Sequence, residues 1–263
     1  MARKSIENIF DYGSPVFTVG TWMFDLFVLN SIWLLTSGTA ACAVLFYLIG
    51  HTALSGMPPW IGYLLILAAL LFWCPATTAL FYTLSKKARG YETYLLRDFF
   101  RSYRTNFRQA FCLGILITFL AGLAAYNYYL ITQVPDMFGP FTHPVQVMQI
   151  VIGAEILFFT VYAIAILARL KVSMKELIRN AFGMAHKHWK TTILCVLVLA
   201  AAFLSVYYLS LALILFVVSP AMLCVVKLME KQVLSKYIPD EEELEKERMK
   251  ETASADPDQQ DKM

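Results

Sequence analysis

Two acidic residues of this chain fall in long apolar stretches, where an ionised side chain is costly. Asp25 opens the first stretch, and Glu155 lies roughly 12 Å from the start of the fourth at a helical rise of about 1.5 Å per residue. An acidic group in such a position usually faces a partner or a water-filled cavity. Asp25 can simply reach the interface. Glu155 indicates either a polar site open to the outside or a carboxyl that fixes helix packing, and packing is the favoured interpretation. Its expected partners are Asn127, Tyr128, His51 and His143.

The segment 91–108 separates basic from aromatic side chains on two faces of a helix. At about 100° per residue its arginines fall within roughly 60°, whereas its aromatic and leucine side chains cover roughly 140°. Such a helix suits the lipid headgroup region, with rings at the acyl boundary and guanidinium groups on anionic phosphates. A cytoplasmic helix packed beneath the bundle explains the pattern equally well. The candidate lipid-interface residues are Arg97, Arg101, Arg104, Arg108, Phe99, Phe100 and Phe107.

Motifs of known catalytic chemistry are missing from the sequence. It contains no HExxH, GxSxG or intramembrane GxGD motif and no phosphate-binding glycine loop. His186 and His188 form a His-x-His pair, but the positive charges of Arg179, Lys187 and Lys190 disfavour a bound cation. We therefore expect no enzymatic activity, no metal site and no cofactor.

The elements that must position these residues are apolar helices. Hydrophobic residues make up 59% of the 263 residues and charged residues 16%, whereas a soluble domain carries about 25% charged residues. Uncharged blocks of about 20 residues match a hydrocarbon core of roughly 30 Å. The sequence therefore predicts an all-α, polytopic transmembrane bundle of about six helices, with amphipathic interfacial helices. The expected helices are about 22–50, 60–84, 109–132, 147–169, 190–207 and 210–228.

Lysine and arginine are concentrated in every second connection between helices, and this alternation predicts the orientation of the bundle in the membrane. They precede the first helix, follow the last, and crowd residues 85–109 and 169–190, whereas residues 51–59 and 133–146 contain none. Cytoplasmic loops collect these residues, so both termini are expected in the cytoplasm. An even number of crossings is then required, which supports dividing the long apolar block 191–226 into two helices.

Three regions follow from this pattern. Residues 1–20 form a cytoplasmic N-terminal segment, residues 21–238 the transmembrane helical domain, and residues 239–263 a charged cytoplasmic tail that is expected to be disordered. The first apolar block is longer than the apolar part of a secretory signal, so we expect it to be a retained helix.

A short pattern occurs twice. Arg97-Asp98-Phe99-Phe100 precedes Phe107-Arg108 at the same spacing as Arg179-Asn180-Ala181-Phe182 precedes Trp189-Lys190. Two related units would explain it, each with a membrane helix, an interfacial helix and a returning membrane helix. The identities are few, and chance explains them equally well.

Four runs give the chain a family resemblance. They are residues 29–35 (LNSIWLL), 75–82 (PATTALFY), 99–110 (FFRSYRTNFRQA) and Asn180-Ala181 before a basic stretch and Trp189. Together they resemble the YesL-like family of small bacterial integral membrane proteins, over about residues 15–238. The stretch between Trp33 and Pro75 is longer than is usual in that family, which leaves the pairing of the first two helices open.

The resemblance implies a link to bacterial sugar-utilisation regions, beside carbohydrate ABC transporters and glycoside hydrolases, and it supplies no binding residues. We expect a bacterial plasma-membrane protein of unknown biochemical activity that acts as a non-enzymatic accessory or scaffold in carbohydrate uptake or utilisation. Its expected partners are anionic lipid headgroups and subunits of a sugar ABC transporter, and not nucleic acid. The alternative is a small permease with a polar site near Glu155, which the scarcity of polar residues along the helices disfavours.

Overall fold

A computed structural model describes residues 14–38, 59–133, 139–208 and 213–237, and these ranges contain helices and no strand. The longer helices are α1 (Pro15–Thr36), α2 (Pro59–Ala88), α3 (Leu95–Gln133), α4 (Thr142–Arg169), α5 (Met174–Lys187), α6 (Trp189–Tyr208) and α7 (Ile214–Met229). A 3-10 turn, Gly139–Phe141, leads into α4. After α7 the chain continues through π-helical turns, Glu230–Leu234, into the short α8, Ser235–Tyr237. The predicted all-α helical bundle is confirmed.

The first helix differs from the predicted range 22–50. It begins at Pro15, where the Ser14 side chain accepts a hydrogen bond from the Phe17 backbone N–H at 3.2 Å, and it ends at Thr36. Gly38 then adopts a φ of +73° against α2, and a Cβ there would lie 3.3 Å from the Ala69 Cα. Serine and glycine thus end the helix where the apolar pattern predicts its continuation.

The segment predicted to be a separate interfacial helix is the first part of α3. Leu95–Gln133 is one continuous helix of 39 residues, about 59 Å long at a rise of about 1.5 Å per residue. A hydrocarbon core of roughly 30 Å accounts for about half of that length. The third helix therefore starts earlier than the predicted residue 109. Residues 95–108 contain no proline or glycine that would end a helix, so the helix is continuous through them.

Helices α2 and α3 pack as an antiparallel hairpin. A Cβ on Gly114 would lie 3.0 Å from the Cys74 Cβ, so a larger residue there would push the two helices slightly apart. The Phe72 ring packs at a tilt against Phe107 and Phe111, with ring centroids 6.1 and 6.0 Å away. Buried side chains concentrate where this hairpin meets residues 159–168 of α4 and the end of α7.

The rest of the bundle presents apolar side chains on its surface. Phe119 and Phe203, for example, are 66% and 70% exposed. Four described helical segments are long and apolar enough to cross a membrane: Val16–Thr36, Leu95–Gln133, Gly139–Arg169 and Trp189–Tyr208. The chain is therefore a multi-pass membrane protein. Since α2 and α7 are not among the four, the count of six crossings stays a prediction.

Candidate functional site

Three ion pairs among the described residues link five parts of the bundle, and we call them the ion-pair belt. They join α1 to α2, α2 to α3, and α4 to the π-helical turns after α7, and no side chain in them is more than 25% exposed. The pairs are Asp25–Lys87, Lys86–Asp98 and Arg169–Glu230. Each pair joins two segments of the bundle, and removing one partner of such a pair would leave the other charge poorly solvated.

The Arg169–Glu230 pair is the most deeply buried of the three. The two side chains are 5% and 11% exposed. Arg169 Nη1 donates to a Glu230 carboxylate oxygen and lies 3.3 Å from Ser85 Oγ, and the Ser85 hydroxyl donates to the same carboxylate oxygen. Sequence reasoning misses this pair because the two residues lie 61 positions apart at the ends of different helices.

Asp25, the first acid predicted to be unusual, pairs with Lys87 at the belt. The Lys87 ammonium also lies 4.3 Å from the centroid of the Trp22 ring. Burial lowers the pKa of Lys87 below its ordinary value. Asp98 takes a similar position on α3, where it accepts hydrogen bonds from Lys86 at 2.8 Å and from the Tyr94 backbone N–H at 3.0 Å. Both carboxylates therefore serve as links between helices.

The seven candidate lipid-interface residues divide between surface and core. All four arginines are exposed, and Phe100 is 43% exposed beside them. Phe99 is fully buried, and Phe107 is partly buried against Phe72 of α2. Part of the predicted aromatic face is thus used in core packing, which favours the interpretation of 91–108 as a brace beneath the bundle. Arg97, Phe100, Arg101, Arg104 and Thr105 line an open cavity of about 560 Å³ on this face.

A second cavity lies where α2 and α3 meet the connection between α4 and α5. Its volume is about 480 Å³, and we call it the basic cavity. Four cationic side chains and several hydroxyl or amide groups line it: Lys86, Arg101, Arg169, Lys171, Tyr82, Ser102, Thr105 and Asn106. The Gln109 side-chain amide donates to the Val172 carbonyl at 3.0 Å and so fixes the connection to α3. The sequence gives no signal for this cavity, because its residues come from three separate segments.

Glu155 contacts a residue that the sequence does not suggest. Its Oε2 lies 3.2 Å from His186 Nε2 of α5, without the geometry of a hydrogen bond. Among the described residues no hydrogen bond or ion pair joins Glu155 to the expected partners Asn127, Tyr128 and His143, and His51 lies outside the described ranges. Helix α4 starts at Thr142, which places Glu155 about 20 Å from that end and deeper than predicted.

The orientation of His186 is set by a backbone contact on its own helix. His186 Nδ1 lies 3.0 Å from the Phe182 carbonyl oxygen, which can only accept, so Nδ1 carries a hydrogen. Nε2 is the ring nitrogen that faces Glu155. The contact therefore brings two ionisable side chains together and joins α4 to α5.

The other histidine of the His-x-His pair faces a different element. His188 Nε2 lies 3.1 Å from the Tyr237 hydroxyl of α8. Burial, together with the nearby Lys236 and Lys187, lowers the pKa of His188. His186 and His188 therefore do not converge, and among the described residues no group of three or more histidines, cysteines or acids is placed to hold a metal ion.

Several apolar helices joined by buried ion pairs define the class of protein, a multi-pass helical membrane protein. Within that class, residues 26–128 match the family described as "Protein of unknown function, DUF624", which is the YesL-like family. The matched region includes the runs 29–35, 75–82 and 99–110, so the resemblance is confirmed there, whereas residues 180–189 lie beyond it. No curated protein and no solved structure matches the chain.

Proposed function

We propose that this protein is a non-enzymatic accessory or scaffold protein of the bacterial plasma membrane that serves carbohydrate uptake or utilisation. The observation that carries the proposal is the ion-pair belt, in which the charged groups of five chain segments hold helices to one another. Breaking such a buried pair typically costs about 3–5 kcal/mol, so these groups suit a rigid support better than a moving or reacting site. The carbohydrate link rests on the family resemblance.

Unbroken helices support the same proposal. Permeases commonly place discontinuous helices and several polar groups near the membrane midplane. Here α3 and α4 run for 39 and 28 residues without interruption, and Pro75 and Pro220 lie inside continuous helices. A rigid bundle of this kind suits a protein that holds others in place.

The proposed partners are anionic lipid headgroups and subunits of a sugar ABC transporter. The exposed arginines of α3, with Phe100 between them, form a basic surface with an apolar centre. Such a surface attracts lipid phosphates and acidic protein patches by the same electrostatic term.

The test of the scaffold function is co-purification of the full chain in a mild non-ionic detergent. We expect a carbohydrate transporter subunit to co-purify with the wild-type protein. The amount of this subunit should fall at least about tenfold for the double variant Arg97→Gln/Arg104→Gln, because a loss of about 1.4 kcal/mol in binding free energy weakens binding tenfold. Lys175→Gln, which removes an exposed charge on α5, is the matched control and should retain the subunit. Recovery of the protein alone, with normal growth on sugars after deletion of its gene, would contradict the proposal.

One observation favours a second candidate function, a small permease. Glu155 of α4 lies 3.2 Å from His186 of α5, and ionisable groups within a membrane bundle commonly mark the path of a proton or a substrate. Reconstitution of the purified chain in vesicles distinguishes the two functions, because a permease takes up labelled sugar without a partner and a scaffold does not.

A further inference from the structure

We propose that the basic cavity binds the phosphate group of a phosphorylated polyol. Two sources share this chemistry: the glycerol-phosphate headgroup of an anionic lipid and a soluble sugar phosphate. The inference goes beyond the scaffold function and does not depend on it.

The charge balance of the basic cavity leaves two cations for a ligand. Lys86 and Arg169 are neutralised by Asp98 and Glu230 within the ion-pair belt. Arg101 and Lys171 are exposed at the cavity. Among the described residues, neither of these two side chains forms an ion pair with an acidic residue. The cavity therefore carries an excess of positive charge that an anion of one or two charges would balance. Guanidinium and ammonium groups form the strongest charge-assisted hydrogen bonds with phosphate oxygens.

Neutral polar groups beside these cations suit the polyol part of the ligand. Tyr82 and Thr105 contribute hydroxyl groups, and Asn106 contributes an amide. The Asn106 amide also lies 3.4 Å from the hydroxyl of buried Ser102, which orients it. A volume of about 480 Å³ is much larger than a bare phosphate and falls within the range of small-molecule pockets. Hydroxyl and amide groups around that extra space match the hydroxyl groups of a sugar or of glycerol.

The cavity is held in shape before a ligand arrives. The Arg169 guanidinium is fixed by Glu230 and Ser85, and the Gln109–Val172 hydrogen bond fixes the connection that carries Lys171. A preformed site loses less conformational freedom on binding. Arg101 precedes the apolar part of α3, which begins near Ala110, so the cavity is placed for a ligand of the headgroup layer or of the aqueous phase.

The experiment uses the full-length protein in a non-ionic polyoxyethylene detergent and measures binding of sn-glycerol 3-phosphate by calorimetry. Glycerol without phosphate is the ligand control. We expect glycerol phosphate to bind and glycerol not to bind, and we expect Arg101→Gln and Lys171→Gln each to weaken binding about tenfold, as the loss of one charge-assisted hydrogen bond implies. Lys175→Gln removes an exposed positive charge of α5 that lies outside both cavities described above, and it should leave binding unchanged. Unchanged thermal unfolding shows that each variant is folded.

A second arm places the same proteins in nanodiscs of phosphatidylglycerol or phosphatidylcholine and measures bound labelled phosphatidylglycerol. If binding of glycerol phosphate in detergent depends on Arg101 and Lys171, the ligand of the basic cavity is a soluble phosphate ester. If only the binding of phosphatidylglycerol in nanodiscs depends on these residues, the ligand is the lipid headgroup. The proposal is overturned if neither arm depends on Arg101 and Lys171, if Lys175→Gln weakens binding equally, or if glycerol binds as well as its phosphate.

Discussion

The contact between Glu155 and His186 brings two ionisable side chains of different helices together. The Phe182 carbonyl accepts from His186 Nδ1, and Nε2 lies 3.2 Å from Glu155 Oε2. The same arrangement serves either as a packing contact between α4 and α5 or as part of a polar site. A substitution that keeps the shape of Glu155 and removes its charge separates the two roles.

Glu155→Gln places an amide N–H where the carboxyl stood, and that group can donate to His186 Nε2. We expect Glu155→Gln to unfold at the wild-type temperature in detergent, whereas Glu155→Ala should lose about 1 kcal/mol because the polar contact with His186 and the packing of the longer side chain are both removed. Thermal unfolding of both variants, with His186→Gln to complete a double-mutant cycle, measures this difference. If Glu155→Gln abolishes sugar uptake or growth while stability is intact, the packing interpretation is wrong.

The sequence identifies costly acids, but it does not identify their partners. Asp25 and Glu155 are conspicuous because they interrupt apolar stretches. Lys87 lies 62 positions from Asp25, and no periodicity within one helix relates such residues. His186 is missed for a different reason, since its place in a basic loop hides the contact with α4.

At the scale of elements, helix ends determine how the bundle is joined. The π-helical turns Glu230–Leu234 extend α7 and carry Glu230 to the end of α4, where Arg169 lies. A π-helical turn changes the angular position of the residues that follow it, and such turns are rare and frequently lie at functional sites. The apolar pattern predicts the end of the helix near 228, because a π-helical turn has no clear sequence signal.

Glu230→Ala leaves the Arg169 guanidinium buried without its carboxylate. We expect a loss of about 3–5 kcal/mol in unfolding free energy, since an uncompensated buried charge is strongly destabilising. The double variant Arg169→Met/Glu230→Leu removes both charges and should recover most of that loss. Urea unfolding in detergent, followed by tryptophan fluorescence, measures both.

The matched control is Glu92→Ala, which removes an exposed carboxylate from the connection between α2 and α3. It should change the unfolding free energy by no more than about 0.5 kcal/mol. Equal losses for Glu92→Ala and Glu230→Ala would show that the buried pair adds no specific stability.

Helix α3 shows which parts of an element a sequence can predict. Its arginine and aromatic faces are evident from periodicity, and all four arginines are indeed exposed. The continuity of Leu95–Gln133 is not evident, because the switch from charged to apolar composition near Ala110 looks like a boundary. The distribution of charged residues shows whether part of a helix lies in lipid or in water. The residues at which the helix begins and ends depend instead on capping residues and on glycine or proline.

At the scale of the whole molecule, hydropathy and charge alternation are sufficient to predict the class. Apolar side chains that cannot all be buried need lipid around them, and the exposed apolar surface of α3 and α6 agrees with this. Orientation is a separate property, since no contact within the protein distinguishes one side of a membrane from the other. It depends on lysine and arginine in the connections and requires its own measurement.

Single cysteines in a version without the native cysteines measure that orientation. A cysteine at Phe141, which is 67% exposed before α4, should react with an impermeant maleimide in intact cells. Cysteines at the exposed positions Glu92 and Lys175, and at Ser254 in the C-terminal region, should react only after permeabilisation, because lysine and arginine hold these connections in the cytoplasm. Reaction of all four after permeabilisation confirms that each is accessible. Labelling of the Ser254 position in intact cells, with the Glu92 and Lys175 positions still protected, would place the C-terminus outside, and the six-crossing prediction would then be wrong.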